Sequence, residues 1–326
     1  MLSLPTSSET GTRQQAMLRT AFEGPVRDAL EASDTQEIIA NPDGTVWIER
    51  AGCGLMKAAG RLGAPARERI IRLVASAAGA PCDRLRPIVS AELPGTGERF
   101  EGILPPVAEA PCFAIRKPAP APFSLEDYVQ SGALAPAVAL ALRKALTDRL
   151  NIVIAGGTSS GKTTFANAFL TEPALAADRI VILEDTRELA CAAPDVTQLR
   201  AQPGSVSLRD LVRSTLRLRP DRIIVGEVRG GEALDLLKAW NTGHPGGLAT
   251  LHANSAKGVF SRLEQLVAEA TTSLPIGLIG EAVDVIVFLS RAGGARRIEE
   301  ALRVTGFDET GYRTEPLAAP GLELIQ

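Results

Sequence analysis

The stretch "NIVIAGGTSSGKTT", residues 151–164, decides how this chain is read. It opens on a run of β-branched and small apolar residues, the composition of a buried strand. It closes on Gly156-x-x-x-x-Gly161-Lys162-Thr163, the spacing of a phosphate-binding loop. Each residue type has a physical reason. Glycines let consecutive backbone N–H groups converge on phosphate oxygens. A helix starting near Lys162 points its positive end at the same anion. Lys162 reaches the β- and γ-phosphates, and Thr163 offers a hydroxyl to Mg2+. Gly157, Thr158, Ser159, Ser160 and Thr164 complete the loop and the first helical turn. A strand before and a helix after separate a nucleotide site from a plain glycine-rich turn.

Downstream the pattern repeats. "RIVILED" (179–185), "RIIVGE" (222–227), "LATLHA" (248–253) and "VDVIVFL" (283–289) are continuous apolar, β-rich runs. Helical stretches are expected between them at 162–171, 207–218, 231–241 and 256–270. Continuous apolarity implies strands covered on both faces, so an α/β domain with a mainly parallel sheet is predicted. Its working edge should lie at the carboxyl ends of the strands.

Upstream the chain reads as a smaller α+β domain, residues 1–117, of which 1–11 are polar and expected to be disordered. An amphipathic helix from Thr12 to about Leu30 is interrupted near Gly24-Pro25. "EIIANPDGTVWIER" is a hairpin turning at Pro-Asp-Gly. Residues 64–79 have helical spacing and end on a glycine. "RFEGILPPV" and "PCFAIRK" read as further strands. "KPAPAPF" (117–123) holds three prolines in seven residues and suits a stiff linker, assigned to 118–123. Ser124 then opens "SLED", a helix-start signature, followed by a second helix over about 135–149. The larger domain is therefore 124–326.

Composition narrows the function classes. The 326 residues are 45% hydrophobic and 22% charged, as in a soluble globular protein. A net charge of −3 and 4% aromatics argue against a basic field or a stacking stripe for nucleic acid. The four cysteines form no C-x-x-C pair and read as reduced thiols in a cytosolic protein. No signal peptide opens the chain and no window approaches a spanning length, which leaves peripheral membrane attachment open.

Three further clusters carry chemistry. "RIIVGE" is an apolar strand ending in Glu227, but Gly226 stands where a second carboxylate is usual. Glu227 alone must orient water or hold Mg2+ through water. "LEDTRE" puts Glu184, Asp185 and Glu188 at the end of the preceding strand, beside the phosphate loop if those strands are neighbours. Both histidines of the chain, His244 and His252, fall within "GHPGGLATLHANS" (243–255). Their spacing makes no zinc pattern. An imidazole at the γ-phosphate can donate a hydrogen bond that disappears on hydrolysis, so both are expected at one rim as sensors. The glycines of 243–247 are expected to permit the resulting movement.

Four motifs in this order resemble those of the secretion ATPases of type II, type IV and pilus machines. Their Walker A, Asp box, atypical Walker B and His box look like "GGTSSGKTT", "ILEDTREL", "RLRPDRIIVGEVRGGEA" and "GHPGGLATLHANS". Upstream, "NPDGTVWIE", "ERFEGILPPV" and "FAIRKP" resemble the N-terminal domain of the type IV secretion branch. The likeness covers about residues 35–310. It departs at Ser159, where many members have Gly. The absence of C-x-x-C sets the chain apart from the branch with a zinc insertion.

The resemblance implies a RecA-like P-loop domain that binds ATP and Mg2+. It implies Lys162 and Thr163 as phosphate and Mg2+ ligands and Glu227 as the catalytic carboxylate. Glu184 and Glu188 would support metal and water. His244 and His252 would couple the γ-phosphate to shape, and Arg99 and Arg116 would close over the nucleotide. Arg213, Arg217 and Arg229 are further candidates. It also implies a homohexameric ring, peripheral on the cytoplasmic face of the inner membrane, working with secretion or conjugation components; the composition points to no direct sequence-specific nucleic-acid binding. Two alternatives remain at this level. One is a RecA-like nucleic-acid motor; the other is a nucleotide-dependent binding module that barely hydrolyses. A GTPase and an ABC subunit are disfavoured because N-K-x-D and S-G-G-Q are missing.

Overall fold

The computed structural model describes residues 15–50, 56–117, 123–158, 160–202, 204–292 and 295–318. The chain divides into two compact units, Met1–Pro120 and Ala121–Gln326. The division falls in the proline-rich stretch, most of which (118–122) lies outside the described residues, as do residues 1–11, Cys53 and Ser159.

In the first unit, the Pro-Asp-Gly turn builds the expected hairpin of β1 (Thr35–Ala40) and β2 (Thr45–Arg50). Asp43 Oδ1 accepts from the Thr45 amide at 2.8 Å and its hydroxyl at 2.6 Å, and Gly44 takes φ +90°. With β3 (Lys57–Arg61), β4 (Ile88–Glu92), β5 (Arg99–Ile103) and β6 (Cys112–Arg116) it forms an antiparallel sheet ordered β3-β2-β1-β6-β5-β4. Residues 15–21 are helical, and α1 (Gly24–Glu31) starts anew with Pro25 in its first turn. α2 (Ala64–Ala78) ends at left-handed Gly79 and buries Ile70, Ile71 and Val74 in the core that holds Ile38, Phe100, Phe113 and Ile115.

The second unit opens with α3 (Leu125–Gln130), whose cap is the reciprocal pair Ser124 and Asp127, and α4 (Pro136–Thr147). Then strands and helices alternate: β7 (Ile152–Gly156), α5 (Lys162–Leu170), β8 (Ile180–Glu184), β9 (Val196–Arg200), α6 (Leu208–Thr215), β10 (Arg222–Val228) and α7 (Glu232–Asn241). They continue as β11 (Leu248–His252), α8 (Gly258–Ala268), α9 (Ile276–Ala282), β12 (Val285–Ala292), β13 (Ala295–Asp308) and β14 (Gly311–Pro316). The sheet order is β14-β13-β12-β7-β11-β10-β8-β9. From β12 to β9 all pairings are parallel, and β13 and β14 extend the sheet antiparallel. The parallel strands β7 and β8 are buried at every residue, which accounts for their unbroken apolar sequences.

At the amino edge of this sheet lies a buried polar knot. The Arg222 side chain is only 2% exposed, and its Nε donates to Asp178 Oδ2 at 2.6 Å. Its Nη2 donates to the Leu146 carbonyl at 2.9 Å and its Nη1 to that of Gly246 at 3.2 Å. Asp178 also pairs with Arg149. Asn151 Oδ1 accepts from the amides of Gly246 and Gly247 at 2.9 and 3.0 Å. A Cβ on Gly246 would lie 2.6 Å from Arg222 Nη1, and one on Gly247 only 1.9 Å from Trp240 Nε1. Close packing thus requires glycine at 246 and 247, and Gly246 also takes φ +85°, while Gly243, at φ +118°, has open space beside it. Asp178→Ala leaves Arg222 buried opposite a lost carboxylate and is expected to cost about 3–5 kcal/mol. Urea unfolding followed by circular dichroism measures it.

Candidate nucleotide site at the carboxyl edge

Parallel register brings the ends of four strands to one edge: Gly156 of β7 lies opposite His252 of β11, and Glu227 and Glu184 close β10 and β8. β10 pairs with β11 at Val225–Ala249 and then at Val228–Leu251, so β10 carries one extra residue around Gly226 and Glu227. A bulge of this kind re-aims the side chain it contains. The Thr250 hydroxyl pins it by donating to the Gly226 carbonyl at 2.5 Å. A Cβ at 226 would lie 2.9 Å from Glu184 Cγ. Gly226 is thus required by its neighbour, which accounts for the single carboxylate on this strand.

The phosphate loop leads into α5 through Gly161 at φ +96°, a conformation suited to glycine. A Cβ on Gly156 would meet the Leu289 carbonyl at 2.4 Å. Lys162 is 8% exposed and folds back over its own loop, donating to the Gly156 and Gly157 carbonyls at 3.2 and 3.1 Å. Its ammonium lies 3.3 and 3.4 Å from the two ring nitrogens of His252. His252 Nε2 in turn stands 2.7 Å from Glu227 Oε1. The N–H direction there leaves Oε1 without an aligned hydrogen bond, while Glu227 Oε2 accepts from Arg229 Nε at 2.9 Å. Arg229 also reaches towards Asp185, 3.7 Å away. Burial, assisted by Lys162, holds the His252 pKa below its ordinary value. The ring is therefore neutral at pH 7, with Nε2 turned towards the Glu227 carboxylate.

The remaining expected residues are spread more widely. Glu184 is buried, and its Oε1 accepts from the amides of Glu188 and Leu189 at 2.8 Å each. Burial pushes its pKa up to about 7 against those donors. β8 is not the neighbour of β7, since β11 and β10 lie between them. The acidic segment is tied to the phosphate-loop helix instead by Asn167, which donates to the Glu188 carbonyl at 3.0 Å and accepts from the Ala190 amide at 2.9 Å. Thr163 and Thr164 are half-buried in the first turn of α5, and Gly157 and Thr158 are exposed. Ser160 is buried with an unpartnered Oγ.

His244 is the clear correction. Its Nδ1 meets the Pro220 carbonyl at 3.1 Å, ahead of β10 and four residues before β11, so it sits at the amino edge, a strand length from the phosphate loop. Within this chain only His252 reaches the loop. Arg213 pairs with Asp235 at 3.1 Å. In the first unit Arg99 and Arg116 are direct cross-strand partners, flanked in register by Glu92 and Glu37. Two residues here escaped the sequence reading, Asn167 and Thr250. Each was a lone polar side chain in an apolar run, which is the signal that could have found them.

The arrangement suits an anionic ligand. It offers a bend with a glycine-rich backbone, an ammonium, a neutral imidazole that can donate, and two buried oxygens, Ser160 Oγ and Glu227 Oε1, awaiting partners. Among the described residues no cluster of His, Cys, Asp and Glu could hold a metal ion by itself. A divalent cation would therefore depend on phosphate oxygens, the usual mode for Mg2+. Among the described residues no helix is long and apolar enough to cross a membrane.

Comparison with known proteins gives the family. The family model described as type II/IV secretion system protein matches residues 26–300. The conjugal transfer protein TrbB of Rhizobium radiobacter is 51% identical over 292 residues, covering 89% of this chain and 90% of its own length. The type IV secretion system protein VirB11 of Bartonella henselae is 31% identical, covering 71% of this chain and 77% of its own. Among solved structures, the Legionella pneumophila ATPase DotB superposes with a TM-score of 0.60 at 20% identity, over 92% of this chain and 82% of DotB, and shows a shared fold. The chain belongs to the type II/IV secretion system protein family, within its conjugal-transfer and type IV secretion branch.

Proposed function

We propose that this chain is an ATP-hydrolysing motor of a type IV secretion or conjugal-transfer machine. Its second unit serves as a RecA-like domain, and ATP hydrolysis drives pilus assembly or substrate transfer. The observation that supports it best is the line Lys162–His252–Glu227, in which cation, imidazole and carboxylate follow one another within 3.4 Å per step.

In this reading Lys162 exchanges its loop carbonyls for β- and γ-phosphate oxygens. The Gly157–Thr164 amides hold the β-phosphate, and Ser160 and Thr163 contribute hydroxyls. Bound with ATP, Mg2+ would neutralise phosphate charge; Thr163, with Glu227 and Glu184 through water, would hold it. Glu227 orients the attacking water, and Glu188 supports the same acidic rim. His252 donates from Nε2 to the γ-phosphate and returns to Glu227 once that group has gone. Arg99 and Arg116, cross-strand partners on β5 and β6, are carried over from the family resemblance as nucleotide-closing arginines. The protein acts as a homohexameric ring on the cytoplasmic face of the inner membrane, against membrane components of the machine.

A nucleic-acid motor is the competing reading, and the low aromatic content and acidic balance disfavour it. Phosphate release by the purified protein should require Mg2+ and ATP and should change little with single-stranded DNA. Strong stimulation by DNA would favour the competitor, and no release at all would reject the motor. His252→Ala should keep nucleotide affinity within about threefold, since a neutral hydrogen bond contributes modestly. It should uncouple hydrolysis from transfer in a conjugation assay; unaltered transfer would remove the sensor role.

A further inference from the structure

We infer that Arg296 is a second nucleotide-binding cation, placed on the side of the phosphate loop away from Glu227, where it engages the α-phosphate half common to ATP and ADP. This rests on the nucleotide-site reading above and adds a residue that none of the four sequence motifs contains.

The placement follows from topology. β7 has two parallel neighbours, β11 on one flank and β12 on the other. Lys162, His252, Glu227 and Arg229 all gather on the β11 flank. On the other flank Leu289 of β12 is level with Gly156, and β12 continues to Ala292 before β13 returns. The paired residues Arg291 and Arg296 therefore stand beyond the carboxyl edge, level with the loop. The Ile298 amide anchors this strand to the Ala133 carbonyl at 2.9 Å.

Arg296 then reaches over the bend. A Cβ built on Gly161 would lie 3.1 Å from Arg296 Cδ and 3.8 Å from its Nε, so the side chain crosses the N-terminus of α5. Its charge is felt by Tyr128, whose ring packs edge-on against Phe165 of the same helix. Arg296 is half-buried and makes no hydrogen bond or ion pair with a described residue. A guanidinium at the phosphate loop that pairs with no described carboxylate is available to an anion. With the γ-phosphate directed to the His252–Glu227 flank, the phosphate chain crosses Gly161 and leaves its α end on the Arg296 flank. Arginine forks suit two phosphate oxygens.

The test is calorimetric titration of the full chain with ADP and with a non-hydrolysable ATP analogue, both with Mg2+. Wild type, Arg296→Gln, Arg296→Lys and Lys162→Ala are compared, with folding checked by thermal melting. Arg296→Gln should weaken both nucleotides by the same factor, about tenfold or more, as for loss of a charged hydrogen bond. Arg296→Lys, which keeps the charge and the fold, should recover part of that loss equally for both. Unchanged affinities in the Arg296 variants, alongside abolished binding in Lys162→Ala, would overturn the inference and leave the site reading standing. A loss confined to the ATP analogue would also overturn it, by moving Arg296 to the γ-phosphate. Normal binding by Lys162→Ala would instead bring down the site reading itself.

Discussion

Lys162→Ala is expected to abolish nucleotide binding measurable at micromolar concentration and to lower ATP turnover by at least about 100-fold, the scale for removing a charged group from a transition-state site. The ammonium is held between two loop carbonyls and His252, so it is already aimed across the bend before any ligand arrives. Alanine removes the one cation that belongs to the loop itself. It also lifts the charge that, after burial, does most to keep His252 neutral. Stability should change little, because the side chain bonds to loop carbonyls that water can serve instead. Lys162→Arg should not rescue, since a planar fork replaces a compact ammonium in a niche sized for it. Fluorescent-nucleotide titration and phosphate release measure both effects. Binding at wild-type affinity in Lys162→Ala would refute the assignment of residues 156–164.

Glu227→Gln should behave differently, with nucleotide bound at near wild-type affinity and turnover lower by about 100- to 1000-fold, the cost of losing the group that orients the attacking water. Glutamine matches the carboxylate in size, so the bulge held by Thr250 and Gly226 should persist. What disappears is the charge. Glu227 is 18% exposed and lies between two potential donors, His252 and Arg229. The variant removes the nearest carboxylate from Arg229 and presents His252 with an amide that can donate as well as accept. A binding module that assembles without hydrolysis would show no change in its small turnover, and that result would displace the motor reading.

Much of the second unit was legible because its signals are local. A parallel strand buried on both faces is apolar along its buried length, and β7 and β8 are recognisable for that reason, as is most of β11. Strand order was not legible. Glu184 seemed adjacent to the phosphate loop because its strand follows next in sequence, yet β11 and β10 intervene. The same limit misplaced His244. Nearness in sequence to His252 suggested nearness in space, but an extended strand carries residues about 3.3 Å apart per step and so separates its two ends. β3 went unseen because "KAAGR" is an exposed edge with no alternation to detect. Gly226 looked like a lost carboxylate until Glu184 was found filling the space beside it.

The clamping of β11 has a mechanical consequence. Backbone ladders grip it on both flanks, from Leu248 opposite Ile152 to His252 opposite Gly156, and its near end is moored in the Arg222 knot. Such a rod cannot slide like a piston without shearing two ladders at once. On the proposed reading, the loss of a phosphate would be passed on by the His252 ring and the short connection into α8, with the sheet as a stationary chassis.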